Sequence, residues 1–228
     1  MHISNLKTLF HWAKKNDILE RIPKIDAISR SKIINKQRRI FSHEEISKLF
    51  AVADTQMKAM IWLGLNCGFG CTDCSYLRWK NLDLINGRVV FPRGKTGVPR
   101  DLTLWPETIN ALKVVPKKGE LVFYTARGNP FVRSVLKIDT NGQEKYSVLN
   151  TISTKFARLL KKSGLNLPKG TGFYTLRRTA ATMAARSGDP FAVQRLLGHA
   201  NLLMATRYVP DVSKQTDEII KRSREYVI

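Results

Sequence analysis

Between Leu82 and Leu104 the chain carries two turn signals in quick succession, and together they leave little choice of local architecture. Asn86-Gly87 stands between Leu82-Asp83-Leu84 and Val89-Val90-Phe91, a strong hairpin signal, because asparagine and glycine tolerate the positive φ that tight turns need. Gly94-Lys95-Thr96-Gly97 then turns the chain again into Arg100-Asp101-Leu102-Thr103-Leu104. Two successive hairpins predict a three-stranded antiparallel sheet. The rest of the sequence reads mainly as helix, so the expected fold class is mostly α with a small antiparallel three-stranded β-sheet.

Leu6, Leu9, Phe10 and Ala13 fall at helical spacing, which predicts an amphipathic helix over residues 4–18 with Lys7, Lys14 and Lys15 mostly off its apolar stripe. From Arg21 to Arg39 the text turns to Pro23, Asp26, Ser29, Ser31 and a run of Lys and Arg, and reads as a basic linker. Ser42-His43-Glu44-Glu45 is a capping box that opens a new domain. The expected division is therefore 1–40 and 41–228. Met57 to Cys67 predicts a buried helix stopped by Gly68-Phe69-Gly70, with a short helix over 72–78 behind it. Pro106 to Val114 predicts a helix with proline in its first turn, and Glu120 to Tyr124 a short extended piece. Residues 127–146 show no clear period and are expected to be an irregular insertion. Further helices are expected from Leu149 to Gly164, Thr175 to Ser187, Pro190 to Leu197 behind an Asp189 cap, Asn201 to Val209, and over 211–226.

A chain of 228 residues that is 43% hydrophobic can hold a real core. Its 39 Lys and Arg against 18 Asp and Glu leave a net charge of +21, spread from Lys7 to Arg224, which favours a polyanion as partner. Charge alone would suit a ribosomal protein as well. No segment approaches the roughly 20 apolar residues that cross a bilayer, and no secretory pattern opens the chain, so a cytoplasmic location is expected. Cys67, Cys71 and Cys74 are clustered and odd in number, which argues for a reducing compartment. With no histidine nearby to complete a zinc set, they are expected to pack between helices.

The chemistry is concentrated late in the chain. Leu197-Gly198-His199 is followed nine residues later by Tyr208, and Leu176-Arg177 lies upstream. A tyrosine hydroxyl, with a pKa near 10, is only about one part in a thousand ionised at neutral pH, so it needs cations and a base to attack phosphorus. The planar fork of Arg177 suits bidentate phosphate binding and has more to bind as charge gathers on a pentacoordinate phosphorus. His199 can handle a proton or bind phosphate. Lys95, on a glycine-flanked turn, can reach a leaving oxygen and protonate it. Each has a plain reading when taken alone: a solvated turn lysine, an ion-paired arginine, a capping histidine, a core tyrosine.

In this order the motifs resemble the tyrosine recombinases, the phage integrase family, over roughly Phe41 to Val209. Residues 1–40 look like the end of that family's core-binding domain plus a basic linker. The resemblance implies the tyrosine recombinase catalytic-domain fold, with Tyr208 as nucleophile, Arg177 and His199 at the phosphate and Lys95 as general acid. Tyr174 stands where the family's His-x-x-Arg motif has histidine, in Tyr174-Thr175-Leu176-Arg177. Aligning the segment from Leu77 to Leu84 places Asp73 on the family's acidic position and Gly70 where its first catalytic arginine belongs. Arg78 lies roughly 12 Å further along a helix, beyond reach. Arg93 and Arg100, flanking the Lys95 turn, are the candidate replacements, while Arg178 and Arg207 are expected against the DNA backbone.

The implied chemistry is cutting and rejoining of double-stranded DNA through a 3′-phosphotyrosine with release of a 5′ hydroxyl, without ATP or metal. The implied assembly is a homotetramer on DNA, monomeric otherwise. Gly70 leaves three readings open. The first is a recombinase with a recruited cation, or with the backbone N–H groups of the 68–70 loop as phosphate donors. The second is a DNA-binding relative that does not cut, and the third a type IB topoisomerase.

Overall fold

The structure is a computed structural model that describes residues 3–23, 39–138, 142–186, 189–206 and 208. The chain divides into two units, Met1–Arg38 and Arg39–Ile228. In the first, α1 spans Ile3–Lys15, and Asn16 donates its side-chain amide to the Trp12 carbonyl at 2.8 Å, bonding an end carbonyl the helix leaves free. Most of the linker expected at 21–39 lies outside the described residues.

The second unit begins at the capping box. Ser42 Oγ accepts from the Glu45 N–H (3.3 Å) and the Glu45 carboxylate accepts from the Ser42 N–H (3.0 Å), which starts α2 (His43–Val52). The buried Phe41 just ahead donates its N–H to Thr179 Oγ1 (3.0 Å), fastening the start of the unit to its last third.

α3 (Thr55–Asn66) is the core helix. Met57, Ala59, Met60, Ile61, Leu63 and Leu65 bury it nearly all round. Each fully buried side chain of Leu, Ile or Met size contributes about 1.5–3 kcal/mol. Asn66, at its end, is a buried polar clamp. Its amide donates to the Thr103 carbonyl (3.0 Å) and accepts from the Trp105 N–H (2.8 Å) and the Thr108 hydroxyl (3.0 Å). Gly68, at φ +62°, turns the chain into α4 (Cys71–Tyr76). Cys67 and Cys74 are buried in the packing around this turn and Cys71 is half-buried. Burial pushes the Cys67 thiol up to about 12 and the Cys74 thiol well above its ordinary value, so both stay protonated.

The three-stranded sheet forms as the two turns require. β1 (Leu82–Asp83), β2 (Arg88–Val90) and β3 (Asp101–Thr103) are antiparallel in the order β1-β2-β3, with Val89 opposite both Leu82 and Leu102. Gly87 takes the positive φ (+63°) of the first turn. α5 (Pro106–Lys113) follows with proline in its first turn, and Leu121 makes an isolated bridge to Arg78.

The expected irregular insertion at 127–146 is a second hairpin, of β4 (Val132–Ile138) and β5 (Glu144–Asn150), in register from Val132 opposite Asn150 to Ile138 opposite Glu144. Of its residues only Val132 is buried. Leu136, Ile138, Tyr146 and Val148 stand exposed on one face, and Arg133, Lys137 and Lys145 lie on the other. The two faces alternate over only a few residues of each strand, and with so little of the hairpin facing the core the apolar positions do not form the longer run that marks a buried strand. Leu149 belongs to β5, so α6 (Thr151–Lys162) starts later than expected, capped by Asn150 accepting from the Ser153 N–H at 3.0 Å.

α7 (Tyr174–Ala185), α8 (Pro190–Leu197) and the single turn α9 (Leu203–Thr206) complete the described residues. α7 joins two cores, with Leu176 in the large one built around α3, and Ala181 and Ala185 in a small one with Val193, Leu197 and Ala205. The helix expected over 211–226 lies outside the described residues, as do positions 207 and 209 of the one expected before it.

Candidate active site

The C-terminal turn of α8 organises the site. Gly198 is left-handed (φ +60°, ψ 43°); its N–H donates to the Arg195 carbonyl (3.1 Å) and the His199 N–H to the Gln194 carbonyl (3.0 Å), the bond pair of a Schellman turn. Glycine is required there for a second reason. A Cβ would stand 3.1 Å from both Arg93 Cβ and Arg100 Cδ. The turn leaves the Leu197 carbonyl outside the helix ladder, at the negative end of the helix dipole. Two guanidinium groups meet on that oxygen. Arg177 Nη2 donates to it at 2.6 Å and Arg93 Nη1 at 3.2 Å, the latter also to the Gly198 carbonyl at 3.3 Å.

Arg177 comes from the first half of α7, at the junction of the two cores, and is 1% exposed. Its Nη1 donates to the Gly68 carbonyl (2.6 Å), and its Nη2 stands 3.5 Å from His199 Nε2. Burial, then the charge of Arg93, holds its pKa below the usual arginine value. Among the described residues no carboxylate forms an ion pair with Arg177 or Arg93. Arg177 Nε and His199 Nδ1 are buried without a hydrogen-bond partner among the described residues. Such orphans are uncommon in folded proteins and fit a site waiting for a ligand.

His199 is buried, and its carbonyl accepts from Gln194 Nε2 at 3.0 Å. Desolvation, reinforced by Arg177 and Arg93, pushes the imidazole down to about 4, so it is neutral at physiological pH. Its ring stacks beside Tyr208, with centroids 6.5 Å apart and planes at 26°. Tyr208 is half-buried against the small core, its N–H donating to the Ala205 carbonyl at 3.0 Å.

The turn that carries Lys95 is docked on the same helix end. Thr96 Oγ1 donates to the Gly198 carbonyl (3.0 Å), beside the Arg93 bonds, and the Arg93 carbonyl closes the turn by accepting from the Thr96 and Gly97 N–H groups (3.1 and 2.8 Å). Lys95 is itself exposed, but Thr96 beside it and Arg93 two residues before it are both bonded to the Gly198 carbonyl. The contacts of Thr96 and Gln194 escape sequence reading because the Thr96 partner lies 102 residues away and glutamine carries no motif.

Tyr174 begins α7 with its phenol solvent-accessible and within electrostatic reach of Arg177. The Arg178 guanidinium lies 5.6 Å from its ring centre. Arg207 lies outside the described residues.

Arg100, expected at the DNA, is an internal brace instead. Its side chain is fully buried, with Nη2 on Asp73 Oδ1 at 2.8 Å, Nε on the Phe91 carbonyl at 3.1 Å and the guanidinium 4.5 Å over the Phe69 ring. The physical reason is Asp73, which also accepts from the Gly70 N–H at 2.8 Å and, nearly buried, needs a cation beside it. The Phe69 N–H is likewise engaged, on the Leu63 carbonyl at 3.3 Å. Two of the three amides of the 68–70 loop therefore bond inside the protein and are not free for phosphate.

The profile of the Phage integrase family matches residues 39–215. Among solved structures, XerA recombinase superposes with a TM-score of 0.60 at 22% identity over 96% of this chain and 74% of its own. The Tn1549 transposon integrase in complex with a circular-intermediate DNA gives 0.69 at 19% identity over 96% and 77%. A lambda integrase dimer bound to a core site gives 0.64 at 20% identity over 92% of this chain and 58% of that one. These likenesses concern the fold, and a comparison with curated protein sequences finds no match. The profile spans most of the chain and includes the whole α8 turn with its arginines, histidine and tyrosine, so the protein belongs to the phage integrase family, the tyrosine-type site-specific recombinases.

Proposed function

We propose that this protein cuts and rejoins double-stranded DNA through Tyr208. The observation that carries the reading is the α8 turn, on which Arg177, Arg93, His199 and the Lys95 turn converge beside the Tyr208 ring. Tyr208 Oη forms a bond to the scissile phosphorus while the bond from phosphorus to the 5′ oxygen breaks, leaving a 3′-phosphotyrosine. Lys95 gives the departing oxygen its proton, so a 5′ hydroxyl is released. His199 enters uncharged, which suits acceptance of the Tyr208 proton rather than neutralisation of the phosphate. Tyr174 offers a phenolic donor where the family has histidine, and Arg178 lies beside it for the DNA backbone. Attack of a 5′ hydroxyl from the partner strand reverses the chemistry and joins the exchanged ends. The bond energy is kept in the phosphotyrosine, so this scheme calls on neither ATP nor a metal.

Four protomers on two duplexes are the proposed working assembly, with a monomer off DNA. The Tn1549 and lambda integrases, both solved on DNA, support duplex DNA as the partner. The unit Met1–Arg38 is read as part of a core-binding domain, and the free thiols fit action in the cytoplasm.

The test is covalent capture. Nicked duplexes from a random-sequence pool are incubated with the protein, and protein-linked DNA is recovered and sequenced. Wild-type protein is expected to yield 3′-linked adducts that Tyr208→Phe abolishes. Tight binding with no adduct would mark a relative that does not cut, whereas relaxation of supercoiled plasmid without strand exchange would mark a topoisomerase.

A further inference from the structure

We infer that Arg93 is the second phosphate-binding arginine of this active site, its guanidinium gripping the scissile phosphate together with Arg177 while position 70 contributes no side chain. The inference rests on the recombinase reading above and assigns a residue to it.

Two guanidinium groups share the Leu197 carbonyl oxygen, and neither has a carboxylate ion-pair partner among the described residues. Like charges brought that close without a carboxylate make a pocket for an anion. A phosphodiester in its pentacoordinate state, with charge gathered on two non-bridging oxygens, is an anion two forks can hold. Among the described residues both protein bonds of Arg93 leave from Nη1, so within them Nη2 and Nε remain for a ligand. Its side chain is only half-buried, and its stem packs on Gly198, where a Cβ would stand 3.1 Å from Arg93 Cβ and 3.2 Å from Cδ. The group is therefore both held in place and open to DNA. It is also a cation that lowers both the Arg177 and the His199 pKa.

The alternatives are turned inward. Arg100 is sealed from solvent in its ion pair with Asp73, and the Phe69 and Gly70 amides bond inward. Position 70 itself stands open. Gly70 has an ordinary φ of −94°, and a Cβ there would meet only Asp73 Oδ2, at 3.6 Å. That gap supplies a test, because a side chain can start there with its Cβ in ordinary contact and an ordinary φ.

Single-turnover cleavage of a nicked duplex taken from the capture selection is measured for wild type, Arg93→Ala, Arg93→Lys, Gly70→Arg and the double variant Arg93→Ala/Gly70→Arg, with DNA affinity and melting temperature recorded for each. Arg93→Ala is expected to cleave on the order of a hundredfold more slowly at saturating DNA, with affinity changed only a few-fold. Arg93→Lys, which keeps a charge and most of the stem but loses the fork, should fall between. Adding Gly70→Arg to Arg93→Ala should restore most of the rate. Cleavage at the wild-type rate by both Arg93 variants would overturn the inference, as would a loss that Gly70→Arg fails to restore in a protein of unchanged melting temperature. If wild type forms no adduct and Gly70→Arg does, Arg93 is not the missing cation although the tyrosine chemistry stands. If neither forms one, the recombinase reading falls and takes the inference with it.

Discussion

His199 shows how far a residue's chemistry is set by what surrounds it. Its folded pKa of about 4 lies below the usual 6.5 because burial and two arginines oppose its charge. Between those values the unfolded chain binds more protons than the folded one. The stabilisation is complete above pH 6.5 and is lost as the pH falls towards 4, at no more than about 1.4 kcal/mol per pH unit. Wild type is therefore expected to lose more melting temperature from pH 7 to 4.5 than His199→Gln; parallel losses would contradict a buried neutral imidazole. Gly198 is the second sensitive residue. Gly198→Ala must adopt φ +60° and push against Arg93 and Arg100, so it should cost roughly 1–3 kcal/mol in urea unfolding and slow cleavage further by displacing Arg93. The Leu197-Gly198-His199 motif was readable in the sequence, but the reason its glycine cannot change was not, because the side chains it would strike come from Arg93 and Arg100.

At the scale of elements, boundaries were legible where a local rule wrote them. The capping box at Ser42 appears in the structure as the residues predict, and the Asn86-Gly87 signal does mark a hairpin, though as a four-residue loop between Asp83 and Arg88 in which Gly87 takes the positive φ and Asn86 does not. Ser42→Ala is expected to cost about 1 kcal/mol by chemical denaturation. Asn66→Ala should cost more, about 2–4 kcal/mol, since it leaves the Trp105 N–H, the Thr108 hydroxyl and the Thr103 carbonyl without their partner. A destabilisation of Asn66→Ala no larger than that of Ser42→Ala would show that water replaces those bonds. The β4–β5 hairpin was illegible because each strand is held mainly by the other and little of it faces the core. Its Asn141-Gly142 signal, the same as that of the first hairpin, and the short alternation of Leu136-Lys137-Ile138 were the available hints.

For the whole molecule the governing quantity is charge. A net charge of +21 on 228 residues cannot be matched internally, and DNA binding should depend steeply on salt. If about six phosphates are neutralised, affinity should drop on the order of a thousandfold between 50 and 200 mM salt. Filter binding that is flat across that range would leave the basic surface without its partner. Arg93→Ala should reduce the salt slope by about one phosphate at most, which separates its effect on chemistry from its effect on binding.

The order of residues alone determined the elements bounded by caps and turns, the charge, and a motif series specific enough to name a family. Its resemblance to the family put Gly70 where an arginine is expected. Tertiary structure decided which cation faces the site. Arg93 and Arg100 lie seven residues apart on one hairpin and are alike as text. One is drawn into the core by the nearly buried Asp73 carboxylate, while the other is drawn to a carbonyl that the last turn of α8 leaves unpaired. Both attractions act between segments remote in sequence, so only the folded chain could separate the two arginines.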